Sequence, residues 1–166
     1  DLSMLKFVMV GGAPMSPAKA RQMIEKLGCQ YISGYGMTET CPLLTVGNLK
    51  DTLNDLPLED RLGHITRTGL EVVGVDLRVV DKHGQDVPRD GKTVGEIIVR
   101  GDNVMKGYWK LPSETAEAFR DGYFYTGDLA NVDPEGYVFI VDRSKDIIIR
   151  SGENIASVEI ENFLYT

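Results

Sequence analysis

Glu39 closes the run Gly34-Tyr35-Gly36-Met37-Thr38-Glu39, and Asp128 closes the run Tyr123-Phe124-Tyr125-Thr126-Gly127-Asp128. In both, small residues and aromatic rings lead up to a carboxylate. A hydroxyl beside a carboxylate, as in Thr38-Glu39, suits an anion and its counter-cation. The threonine donates to a phosphate oxygen, and the glutamate offers oxygen to Mg²⁺, a hard cation. Glycines on either side of Tyr35 let its ring lie flat against a base. Asp128, directly after Gly127, is placed to accept two hydrogen bonds from a ribose diol. A third cluster, Gly11-Gly12-Ala13-Pro14, is small enough for backbone to approach a flat or anionic ligand closely. A fourth, Asp142-Arg143-Ser144-Lys145-Asp146, alternates in charge. Each also has a plain structural reading. In the order given, these are a turn holding a buried tyrosine and a solvated glutamate, a turn after an aromatic strand, a tight strand-to-helix turn, and a solvated charged turn.

The elements around these clusters decide how they are presented. Leu5 to Val10 is an apolar run that stops at Gly11-Gly12, as a buried strand does. Ser16-Pro17 opens a helix with a capping serine and a proline at its first position. Ala20, Met23, Ile24 and Leu27 make one apolar face, and Gly28 stands where a C-terminal cap belongs. A second strand follows at Gln30 to Ser33, which completes a βαβ unit with parallel strands. The first and second glycine-rich clusters therefore fall at strand carboxyl ends, where open α/β sheets bind ligands. The stretch Asn48 to Arg61 is polar, acidic and unpatterned, and reads as a surface connection. From about residue 64 the pattern becomes β. Strands are expected at Val75 to Val79, Val94 to Arg100, Gly136 to Val141 and Ile147 to Ile149, with a short helix at Pro112 to Phe119 and a final helix from Ser157.

Composition narrows the classes. The net charge of −7 argues against an electrostatic nucleic-acid binder or a polybasic membrane surface. No apolar run approaches the roughly 20 residues needed to span a bilayer. Two cysteines, Cys29 and Cys41, exclude a disulfide scaffold and a four-cysteine zinc site; they read as reduced, mostly buried thiols, which fits a cytoplasmic protein. His64 and His83 lack ligand-type neighbours at metal spacing.

Order and spacing together carry more than any one cluster. Gly-Tyr-Gly-Met-Thr-Glu, then Gly107-Tyr108-Trp109 with Pro112-Ser113-Glu114-Thr115, then Tyr-Thr-Gly-Asp, then Asp142-Arg143-Ser144-Lys145-Asp146-Ile147-Ile148-Ile149-Arg150-Ser151-Gly152-Glu153-Asn154-Ile155, resemble the motifs of the adenylate-forming family in that family's order. This is the family of acyl-CoA synthetases, luciferases and peptide-synthetase adenylation domains. The likeness runs from about residue 5 to the end, and the fatty-acid–CoA ligases look nearest. It implies that Gly11, Gly12 and Ala13 lie along adenine, with Tyr35 stacked on one side and Ile140 on the other. Thr38 would contact the α-phosphate and Glu39 would bind Mg²⁺. Asp128 would hold the ribose hydroxyls, assisted by Arg143. Gly34 and the loop after Met37 would border the acyl pocket. Lys145 matches the hinge of a small C-terminal lid, and Gly152 would line the passage for coenzyme A.

The implied reaction has two halves. A carboxylate attacks the α-phosphate of ATP, giving an acyl-adenylate and pyrophosphate; a thiol, usually that of coenzyme A, then takes the acyl group and AMP leaves. The family's phosphate loop and its lid lysine are not among these residues, so the chain is expected to be a central piece of a longer enzyme and inactive alone. Thr68-Gly69-Leu70-Glu71 stands where many relatives carry a Gly-Pro pair.

The expected architecture is α/β plus β. A partial parallel βαβ layer spans 1–63, an antiparallel barrel-like β subdomain spans 64–144, and a hinge with the start of the lid spans 145–166. Exposed sheet edges and apolar faces are expected, covered by a second copy or met by a rearranged N-terminal segment. A carrier-protein-loading adenylation domain and a non-catalytic nucleotide-binding module are the rival readings.

Overall fold

The computed structural model of the chain describes residues 1–13, 15–145, 148–150, 153–155 and 160, with 148–150 and 153–155 described by backbone alone. The chain divides into two compact units, Asp1–Val73 and Gly74–Thr166.

The first unit is built on a four-stranded sheet. Strand β1 (Phe7–Gly11) leads into helix α1 (Pro17–Leu27) and strand β2 (Gln30–Gly36), and the two strands pair in parallel from Phe7↔Gln30 to Gly11↔Gly34. The expected βαβ unit is present. Helix α1 begins where expected: Ser16 Oγ accepts from Lys19 N at 3.4 Å, and Pro17 occupies the first turn. It ends where Gly28 adopts a left-handed φ of 64° and donates back to Ile24 O, a backbone shape that glycine takes without steric cost. Strand β3 (Leu43–Val46) pairs antiparallel with β2, and β4 (Leu70–Glu71) pairs antiparallel with β3. The sheet order is β1-β2-β3-β4.

Two sequence expectations need correction in this unit. Strand β1 is an edge strand with one face open, since Phe7 is 55% and Met9 47% exposed. The apolar run was therefore no guide to burial on both faces. The end of the polar stretch Asn48 to Arg61 is not an irregular connection: it opens a helix, α2 (Leu58–Ile65), whose Leu62 is fully buried. Leu58, Leu62 and Ile65 follow helical spacing inside an acidic stretch. Leu62 packs with Ala20 and Tyr31, and Met23, Ile24 and Ile65 close over the cluster. The end of α2 is tied to the sheet by buried hydroxyls: Thr45 Oγ1 donates to Thr68 O at 2.6 Å and Ser33 Oγ donates to Arg67 O. Thr45 is fully buried, so its hydroxyl needs that partner.

The second unit is an antiparallel barrel-like sheet. Its strands are β5 (Val75–Val80), β6 (Gly95–Gly101), β7 (Phe119–Arg120), β8 (Tyr123–Val132) and β9 (Val138–Arg143). The path is β5-β6-β8-β7, and β9 also pairs with β8. Strand β8 is the longest in the chain as described, and the sequence reading saw only its aromatic start. Strand β7 pairs with its first two residues and β9 with Asp128 to Val132, so the two lie along successive lengths of β8. The core comprises Val79, Val80, Ile97, Val99, Phe124, Ala130, Tyr137 and Val138. Helix α3 (Pro112–Ala118) forms at the expected place, and a hairpin of β10 (Ile148–Arg150) and β11 (Glu153–Ile155) follows β9. The helix expected from Ser157 lies outside the described residues, apart from the helical Ile160.

Candidate functional site

In the first unit, the parallel register fixes the arrangement. Gly11 is the partner of Gly34, and a Cβ on Gly11 would sit 2.8 Å from Gly34 O. The carboxyl ends of β1 and β2 thus approach more closely than side chains permit. Gly11, Gly12 and Ala13 are exposed there, and Gly12 has a φ of 86°. Tyr35 is the next residue along β2. The register with β3 shifts between Tyr35 and Gly36, and a Cβ on Gly36 would collide with Pro42 O. Gly36 is therefore required by backbone packing, whatever the ring contacts, whereas a Cβ on Gly34 would meet the end of the Met9 side chain.

Thr38 and Glu39 follow in a single 3₁₀ turn, Thr38–Thr40. The turn is closed from inside by Thr40, which is fully buried. Its hydroxyl accepts from Met37 N at 3.2 Å and donates to Pro42 O at 2.6 Å. Cys41 ends the turn in the left-handed region at φ 49°. That closure leaves Thr38 exposed and Glu39 half-buried. Cys29 is buried but Cys41 is exposed, and both are free, which corrects the expectation that both thiols are hidden. Among the described residues, no group of three or more His, Cys, Asp or Glu is gathered to hold a metal. A cation at Glu39 would have one carboxylate from this turn. That fits Mg²⁺, which keeps several waters and is commonly bound by one or two carboxylates together with substrate phosphates.

In the second unit, Asp128 and Arg143 are partners across β8 and β9. Arg143 Nε donates to Asp128 Oδ1 at 3.2 Å. The carboxylate side chain is 6% exposed and the guanidinium 66%. One buried anion is thus met by a cation that reaches out to water. Ile140 lies on β9 opposite Ala130, three residues before Arg143. Lys145 is exposed in the turn after β9. Gly152 lies outside the described residues. The structure therefore brings Gly11, Gly12, Ala13, Tyr35, Thr38 and Glu39 to one end of one sheet, and Asp128, Ile140 and Arg143 onto two adjacent strands of another.

Three residues to which the sequence reading assigned no site role shape the Asp128 segment: Glu96, which no motif contained, and Thr126 and Ser144, which stood in motifs without a role of their own. Glu96 Oε1 accepts from Gly127 N at 3.0 Å. Thr126 Oγ1 donates to Ile97 O at 2.8 Å and accepts from Asp128 N at 3.1 Å. Ser144 N donates to Gly127 O at 2.8 Å. The available signal was a hydroxyl and a glycine in the middle of an otherwise aromatic and apolar strand. Among the described residues, no helix is long and apolar enough to cross a membrane.

Known proteins resemble this chain over almost all of it. The AMP-binding enzyme family matches residues 1–109. A peroxisomal benzoate–CoA ligase of Arabidopsis thaliana is 44% identical over 160 residues, 95% of this chain and 27% of that protein. A 4-hydroxybutyrate–CoA ligase of Metallosphaera sedula is 41% identical over 157 residues, 95% of this chain and 28% of that protein. Among solved structures, o-succinylbenzoate coenzyme A synthetase from Bacillus subtilis in complex with ATP and magnesium ion matches with a TM-score of 0.80 and 29% identity. It covers 97% of this chain and 31% of that one. The chain thus spans under a third of the length of these relatives, with both of its units inside the match. It belongs to the AMP-binding, adenylate-forming enzyme family.

Proposed function

We propose that the protein carrying this chain is an AMP-forming acid–CoA ligase, and that these residues supply its nucleoside- and α-phosphate-binding part. The observation that carries the reading is the end of the first sheet. There, backbone too tight for side chains adjoins an aromatic ring and a turn with Thr38 exposed and Glu39 half-buried. Gly11, Gly12 and Ala13 give a surface that admits a flat base, and Tyr35 gives the ring to stack on it. Thr38 donates to the α-phosphate. Glu39 holds Mg²⁺, which supplies charge neutralisation while one anion attacks another. Ile140 packs on the base, and Asp128 with Arg143 binds the ribose diol.

The remaining assignments concern movement and substrates. Lys145 is the hinge at which a lid turns between the two half-reactions, and Gly152 borders the path of coenzyme A. The acid is fatty or aromatic; relatives named for benzoate and for 4-hydroxybutyrate support a carboxylate without narrowing it further. The 166 residues contain neither the family's phosphate loop nor its lid lysine, so by themselves they bind nucleotide without turning it over. We assign the protein to the cytoplasm. Imaging the tagged protein beside a peroxisomal marker tests that assignment, since several relatives are named peroxisomal.

Titrating the ¹⁵N-labelled chain with AMP tests the binding roles. The amides of residues 11–13 and 34–39 in the first unit, and those of 126–128 in the second, are each expected to shift, and adding Mg²⁺ with ATP should perturb Glu39 further. Shifts confined to other residues would overturn the assignment.

A further inference from the structure

We infer that Glu96 is a positioning residue for ribose recognition: its carboxylate holds the Gly127 bulge that presents Asp128. The inference rests on the proposed ribose role of Asp128 and extends it to a strand that does not itself touch the nucleotide.

The ladder between β6 and β8 is antiparallel and breaks register between Glu96 and Ile98. Ile98 is the partner of Tyr125 and Glu96 is the partner of Leu129. One residue of β6, Ile97, therefore faces three of β8: Thr126, Gly127 and Asp128. Two extra residues in one strand cannot all find ladder partners, and a bulge is the result. Its centre is Gly127 at φ 76°, in the left-handed region. A glycine removes the steric cost of that shape but does not select it over the alternatives open to a flexible residue. Selection comes from hydrogen bonds that exist only in this arrangement.

Those bonds account for the bulge group by group. Thr126 uses its hydroxyl as a bridge, donating to Ile97 O and accepting from Asp128 N. Gly127 O accepts from Ser144 N, just past the end of β9. Gly127 N donates to Glu96 Oε1 at 3.0 Å, so a carboxylate takes the place a strand carbonyl would have. A bond from an amide to an ionised acceptor is among the stronger kinds in proteins. The next residue is Asp128, 4% exposed and paired with Arg143. Without the Glu96 contact the Gly127 N–H loses its acceptor, and the Thr126–Gly127 peptide is no longer held on that side while Ser144 N still holds Gly127 O. The backbone can then rotate about the glycine, and the carboxylate one bond further on loses its fixed direction. Glu96 thus acts on the nucleotide only through Asp128.

The experiment compares AMP with 2′,3′-dideoxy-AMP on the wild-type chain and on E96A, E96D, E96Q and D128N, with the Gly127 amide resonance recorded in each. Wild type is expected to prefer AMP. E96A should lower that preference about tenfold, the scale of one charge-assisted hydrogen bond, and move the Gly127 amide upfield with faster exchange. E96D keeps the charge but shortens the reach, and should behave as E96A does. E96Q keeps an acceptor oxygen at full reach, and should recover most of the preference. It also serves where E96A fails to fold.

Two failures are distinguishable. If D128N abolishes the preference while E96A and E96D keep it, Asp128 binds ribose and the Glu96 inference is wrong. If wild type and D128N both fail to discriminate the two nucleotides, the ribose reading is wrong and the inference falls with it. An unchanged Gly127 amide in E96A and E96D would overturn the inference on structural grounds alone.

Discussion

At the scale of single residues, carboxylates in this chain are set by the backbone amides around them. Asp90 is the clearest case outside the candidate site. Its side chain accepts from Thr93 N and from Thr93 Oγ1, each at 2.7 Å, and from Lys92 N at 2.8 Å. These donors favour the ionised form and draw its pKa down from 3.8 to about 2. A depressed carboxyl contributes to stability above its ordinary value and loses that contribution as the pH falls through its folded value. The Thr93 amide shift is therefore expected to titrate with a midpoint of about 2. A midpoint near 3.8 would show that the turn does not hold the charge. D90N should remove the titration altogether. At this scale the named runs pointed to Glu39, Thr38, Tyr35 and Asp128 as candidates from their neighbours, and the structure places the first three at the carboxyl end of β2 and Asp128 on β8. Glu96 was not among those candidates, because a glutamate in a strand ordinarily reads as a solvent-facing residue. Nothing in the sequence announces that its carboxylate turns to an amide on the next strand.

At the scale of elements, the legible parts were those with strong local punctuation. Ser16-Pro17 and Gly28 bracket α1 at both ends, and the structure uses both signals. Helix α2 has no such brackets. Pro57 precedes it without a side-chain cap, and its eight residues carry only three apolar positions among acidic ones. Its formation depends on tertiary packing, which sequence periodicity over so short a stretch does not reveal. Strand β8 escaped for a different reason: the Thr126-Gly127-Asp128 bulge interrupts the alternation that would have marked ten continuous residues. The dependence of α2 on packing makes a direct prediction. Leu62 is fully buried against Ala20 and Tyr31, so Leu62→Ala should destabilise the first unit by about 2–5 kcal/mol. Denaturant unfolding followed by the Tyr31 environment measures it. A loss under about 1 kcal/mol would mean that the site collapses or that α2 is dispensable.

For the molecule as a whole, the division into two units matters more than any single element. Each unit carries its own share of the candidate residues, and each is matched within the same known structures. The first unit presents an open edge: β1 leaves Phe7 and Met9 exposed, with Met4 at 85% and Leu2 at 59% beside them in sequence. Exposed apolar strands at a sheet edge favour pairing with another chain. The isolated 166 residues are accordingly expected to self-associate as concentration rises. F7K together with M9K should keep them monomeric in light scattering; a wild-type chain that stays monomeric at all concentrations would contradict this. The net charge of −7 opposes such association only weakly at ordinary salt. The central claim concerns chemistry, and acid-dependent ATP–pyrophosphate exchange tests it most directly. The measurement uses the whole protein with short, medium, long and aromatic acids, and runs the 166-residue chain beside it. The account predicts exchange with one acid class, none without acid, and none by the 166 residues alone. Absence of exchange by the whole protein with every acid would contradict it, and would leave a nucleotide-binding fold without adenylating activity.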